Sequence, residues 1–157
     1  MRFPALFGAV AMALATPAFA LQDPVLGLDE PMRELFKTPG VVGYITAARP
    51  GPDGRTHAWT WLFLKQPIPG GADALAMEWD IDCTARTVRT VNTVLYNADR
   101  HMQTDAGQAP AAAPAPGSPG ALALGAACAP PVRSRIAPLP NRAAARTAAA
   151  ALFAAQP

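Results

Sequence analysis

Residues that build catalytic and metal centres are scarce in this chain. It has two cysteines and two histidines, and serine stands only at positions 118 and 134. His57 and His101 show no ligand spacing. Ser118 lies in Gly-Ser-Pro-Gly rather than in a Gly-x-Ser-x-Gly elbow, and no glycine loop of the phosphate-cradling kind is present. Without an assembled nucleophile, base or ligand set, the chain reads as non-enzymatic and without a cofactor or metal. An excess of charge of one sign is lacking as well. Thirteen basic and 11 acidic side chains give a net charge of +2, which offers no electrostatic reason to expect nucleic acid or an anionic membrane as partner. Beyond the N-terminus no apolar run approaches the roughly 20 residues of a membrane span.

What is present begins with an address. Met1-Arg2 is followed by an uncharged apolar run from Phe3 to Ala15, a break at Pro17, and the small-x-small triplet Ala18-Phe19-Ala20. This pattern predicts a signal peptide over residues 1–20, cleaved after Ala20. Residue 21 is leucine, so no lipid-anchor thiol follows the cut. A periplasmic or secreted protein is expected. Arginine outnumbers lysine 11 to 2, and with the Ala and Pro bias this fits a high-GC bacterial gene and hence the periplasm.

Residues 21–40 read as a lead-in segment. Asp29-Glu30-Pro31 suits the first turn of a short helix through Lys37, with Met32, Leu35 and Phe36 as its apolar stripe. Strands are predicted over 41–48, 57–65, 75–82, 84–97 and 101–104. The punctuation between them is a turn over 49–54, Pro67 to Gly71, Cys83-Thr84 and Asn97-Ala98-Asp99. This is a meander of antiparallel strands. Residues 106–116 are an Ala/Pro/Gly loop with little to bury. Ser118 and Pro119 then suit the N-cap and first position of a helix running to about Cys128, where Pro130-Pro131 stops it. Residues 130–157 form a Pro/Ala-rich extension in which Asn141 caps a last helix through Ala155. Only Leu152 and Phe153 offer that helix a docking face.

Two cysteines in an exported chain most economically form one bridge, Cys83 to Cys128. It would tie the C-terminal helix to the sheet. A redox-active pair is the weaker alternative, because the CxxC spacing that lowers a thiol pKa is absent.

Residues 41–129 resemble the surface-adhesin protein E domain family. The resemblance rests on Glu78-Trp79-Asp80-Ile81-Asp82-Cys83, Arg86-Thr87, Tyr96-Asn97-Ala98-Asp99, and Ala115-Pro116-Gly117-Ser118-Pro119-Gly120 followed by Cys128. It implies an antiparallel sheet with a C-terminal helix held to one face by the disulfide. Members are small exported proteins, and the founding type is an outer-surface adhesin that binds host matrix proteins.

Two constellations are candidate sites. Trp59, Trp61 and Phe63 alternate and share one strand face, while Leu62 and Leu64 take the other. Exposed, the aromatic face would bind a protein partner or form a homodimer. Covered by the helix or by a terminal segment, it is core. Glu78, Asp80 and Asp82 also alternate. They are a candidate cation row, or a row of salt bridges to Arg86 and Arg89 on the next strand. The expected fold is α+β: an antiparallel sheet of about five or six strands with one disulfide-tethered C-terminal helix. The expected function is a non-enzymatic exported interaction module. The alternative is a periplasmic small-ligand or cation-binding protein that uses the carboxylate row or the cleft between helix and sheet.

Overall fold

The computed structural model describes residues 29–51, 53–129 and 137–155. The signal peptide and cleavage site predicted over residues 1–20 lie outside the described residues. Seven strands and two helices follow in chain order: β1 (Met32–Lys37), β2 (Val41–Thr46), β3 (Arg49–Pro50), β4 (Thr56–Leu64), β5 (Ala74–Asp82), β6 (Thr87–Asn97), β7 (Arg100–Ala106), α1 (Pro119–Cys128) and α2 (Arg142–Ala154). All strands pair antiparallel in one sheet of order β1-β2-β4-β5-β6-β7, with the two-residue β3 attached to β4. The fold is therefore α+β, as expected.

The strands begin and end where local chemistry dictates. β6 starts at Thr87 rather than at Thr84, because Asp82 Oδ1 accepts from the backbone N–H of Thr84 (2.9 Å) and Ala85 (2.8 Å). Arg86, at φ 59°, completes that turn. The β6–β7 hairpin turns on Ala98 (φ 49°) and Asp99 (φ 64°), a pair of positive φ angles that matches the sheet's own twist. The loop after β7 is not idle. Its Ala112 exchanges two backbone hydrogen bonds with Val88, at 2.9 and 3.0 Å, and Gly107 N–H donates to the Val91 carbonyl at 2.7 Å. Any side chain at Gly107 would overlap the Thr90 carbonyl.

The segment expected as a helix over 29–37 is instead the edge strand β1. A helix of that length is marginal in water, whereas β2 offers a row of backbone partners. Pairing splits the supposed stripe. Met32 turns to one face of the sheet, and Leu35 packs on the other across an irregularity between Glu34 and Phe36. Phe36 lies over Gly43, where any Cβ would collide with its ring.

The two helices cover opposite faces. α1 is capped by Ser118, whose Oγ accepts from Ala121 N–H at 3.2 Å, with Pro119 at its start. It packs Ala123 and Leu124 on Ile45, Ala58, Trp79, Ile81 and Val88. Gly120 brings its backbone against the Trp79 ring and Val88. The disulfide Cys83–Cys128 ties its C-terminal end to the turn after β5. α2 covers the other face, so the described part of the extension is not an appendage. Ala145 and Ala149 are fully buried there, with Leu139, Leu152 and Phe153 packed beside them. Leu139 and Met32 exchange backbone hydrogen bonds at 2.8 Å.

The disulfide closes a loop across a sequence separation of 45, which in the chain-entropy model stabilises by about 4 kcal/mol. The double variant Cys83→Ala/Cys128→Ala is expected to lose stability on that scale, read from the urea-unfolding midpoint. A midpoint unchanged from the oxidised wild type would show that the bridge does not hold α1.

Candidate functional site

The aromatic row of β4 is not a surface. Trp59, Trp61 and Phe63 are only 7%, 1% and 2% exposed. They sit in one core with Tyr44, Ala76, Val94 and Tyr96 beneath α2. Two arginines of α2 lie over this core: Arg142 is 5.1 Å from the centre of the Trp61 ring and Arg146 is 5.2 Å from that of Phe63. Arg146 also forks onto Asp73 at 3.0 and 3.1 Å and reaches Asp99 at 3.0 Å. Small alanines let the helix backbone come close, and the arginines hold it. The candidate partner-binding role of Trp59, Trp61 and Phe63 is corrected accordingly: their area is already buried against the chain's own C-terminal helix.

Nor do the three carboxylates of β5 act as one row. Glu78 accepts from Asn92 Nδ2 at 2.6 Å, on β6. Asp82 serves the turn described above. Asp80, only 1% exposed, receives Arg55 Nη1 at 2.8 Å and Arg89 Nη2 at 2.7 Å, both on Oδ2. Salt bridging therefore holds for Asp80, with Arg89 as foreseen and with Arg55, the residue before β4, in addition. The structure brings Asp53 and His57 beside Asp80, with one potential ligand atom of each within 4.8 Å of the others. Asp80 Oδ1 finds no hydrogen-bond partner among the described residues. The two guanidinium groups on Asp80 nevertheless argue against a divalent cation, which would add a third positive centre within a few ångströms. A shallow cleft of about 200 Å³ beside these residues has Glu30, Arg49, His57 and Glu78 in its lining. Its charges are spoken for: Glu30 is held by Arg49 at 2.8 Å and Glu78 by Asn92.

A larger and chemically different space lies between α2 and the edge of the sheet. It is a groove of about 410 Å³. Met32 and Tyr44 form its sheet side, Ala148, Ala151 and Leu152 its helix side, and Ala137 and Leu139 its end. Among the described residues, the only charged side chain in its lining is Glu34. Glu34 and Tyr44 are direct cross-strand partners and so share one sheet face. Burial, and secondarily the Glu34 charge, hold the Tyr44 phenol above its ordinary value of 10.0. The groove has the composition of a small-molecule site: apolar walls and a few polar atoms. Sequence reasoning missed the groove because it placed Met32 and Glu34 on a helix and, although it allowed a terminal segment to cover the aromatic face, set no part of the last helix against β1. One signal was available: Ala145, Ala149 and Leu152 recur at helical spacing on a single face.

Comparison with protein-family models, with curated proteins and with solved structures finds no match to this chain. No described helix is long and apolar enough to cross a membrane.

Two outcomes test this reading of the polar groups. Asp80→Asn is expected to cost about 2 kcal/mol, because two arginines lose their shared carboxylate but can turn partly to water. Calcium or zinc added in excess to the wild type should leave its thermal midpoint unmoved, and a rise would restore the cation-site reading. Tyr44 predicts the alkaline limit. Below pH 10 the phenol is neutral in both the folded and the unfolded chain, so its contribution is intact. At higher pH the unfolded chain ionises first, and stability falls. Unfolding measured from about pH 9 to 11 should show this loss, with a shallower slope in Tyr44→Phe.

Proposed function

We propose that this protein is an exported, non-enzymatic binding protein that holds a small, largely apolar molecule in the groove between α2 and the β1–β2 edge. The groove of about 410 Å³ carries this reading, since it falls within the range of ligand sites of roughly 300–1,000 Å³. Export is supported by the signal-type pattern of residues 1–20 and by a disulfide, which persists in an oxidising compartment. The resemblance of residues 41–129 to the surface-adhesin protein E domain family supports a binding role over a catalytic one. A flat protein-docking face is less well supported. The aromatic residues that would have formed it lie under α2, and the exposed large apolar side chains among the described residues are Ile68 and Met102.

The test is a nuclear magnetic resonance titration with 1-octanol. Shifts confined to Met32, Tyr44, Leu139, Ala148 and Leu152 are expected. Ala151→Trp, at an exposed position on the rim, should block them while keeping the wild-type thermal midpoint. Shifts elsewhere, or none, would overturn the reading.

A further inference from the structure

The one charge among the groove's described lining residues has a consequence for what enters it. We infer that the preferred occupant is an amphipathic cation, with an alkyl or aryl body along Met32, Leu139 and Leu152 and a protonated amine at Glu34. This inference rests on the binding reading above and specifies its ligand.

The walls contributed by Met32, Ala137, Leu139, Ala148, Ala151 and Leu152 carry no side-chain donor and no acceptor stronger than the Met32 thioether. Polar recognition therefore falls to Glu34 and the Tyr44 hydroxyl. An ionised carboxylate only accepts hydrogen bonds, so it rewards a ligand head that donates and repels an anionic one. The Glu34 side chain is 41% exposed, which places it at the solvent end of the groove. A charged head can thus stay hydrated while the body is buried. The competitor for Glu34 among the described residues is weak. Lys37 stands 3.7 Å away on the same strand and is itself 57% exposed, a type of pair that contributes little. A ligand ammonium tethered by a buried body is bound more firmly there than a solvated lysine, because its apolar contacts keep it in place.

Three probes with one body and different heads separate this inference from the reading beneath it: octylammonium, 1-octanol and octanoate at neutral pH. Affinities are read by calorimetry, with the Met32 methyl resonance as the reporter of position. Octylammonium should bind about fivefold more tightly than octanol, and octanoate more weakly than either. Glu34→Gln should abolish the preference for the amine. Lys37→Ala should enlarge the preference. Added salt should shrink it. If octanol binds in the groove and all three heads bind equally, the inference is overturned and the binding reading stands. If none of the probes binds, or if light scattering shows a dimer whose second copy fills the groove, both are overturned.

Discussion

One strand sets the terms for the rest of the molecule. β4 is apolar on both of its faces, with Trp59, Trp61 and Phe63 on one and Ala58, Thr60 and Leu62 on the other. A strand of this kind cannot sit in a sheet with a wet side. Two covers are required, and the chain supplies them from its last third. α1 takes the Ala58–Leu62 side and α2 the tryptophan side. Even the buried polar groups follow this division. Thr60 faces α1 and accepts from the indole N–H of Trp79 at 2.9 Å, and Thr46 Oγ1 accepts from Trp59 N–H at 3.1 Å. Each is a polar atom made tolerable inside the core by a specific partner.

The parts of the fold that were legible in the sequence are those decided locally. Period-two alternation marked β4 and β5, turn residues marked the hairpins, and the Ser118-Pro119 start marked α1. β1 was misread, whereas α2 was legible as a helix capped by Asn141 and only its place on the sheet was not; both shortfalls share a cause. β1 and α2 acquire their roles from neighbours distant in the chain. Met32–Lys37 is a strand because β2 has a free edge, and Gly43 has room for Phe36. α2 is core because Asp73 and Asp99 lie where Arg146 can reach them. Its alanines look featureless in the sequence, yet they are what allows close approach to a sheet of large aromatics. Of the candidate site residues, Asp80 kept a salt bridge foreseen from its spacing to Arg89. The tryptophans and Phe63 became core. The groove residues went unseen because their meeting depends on β1 being a strand and on where α2 docks.

The groove itself follows from that use of alanine. Where α2 lies over Trp61 and Phe63, bulk on the sheet fills the interface. Towards Met32 and Tyr44 the helix presents Ala148 and Ala151 and the sheet thins to its edge strand, so neither side supplies the volume needed for close packing. An open space there costs dispersion contacts that an apolar occupant would restore. The carboxylates of β5 show the opposite economy. Glu78, Asp80 and Asp82 alternate regularly in sequence, but each is engaged by a different neighbour, and the row has no collective chemistry left.

The order of the covers along the chain also governs how the molecule comes into being. The sheet is complete at Ala106, built wholly from pairings between strands that follow one another, apart from the short β3. Such contacts form early and quickly. Trp59, Trp61 and Phe63 must then wait, facing water, until residues 142–154 have emerged from whatever machinery delivers the chain. The last elements to appear are the ones that make the protein soluble against itself, so any truncation ahead of Arg142 leaves a finished sheet with its stickiest face bare.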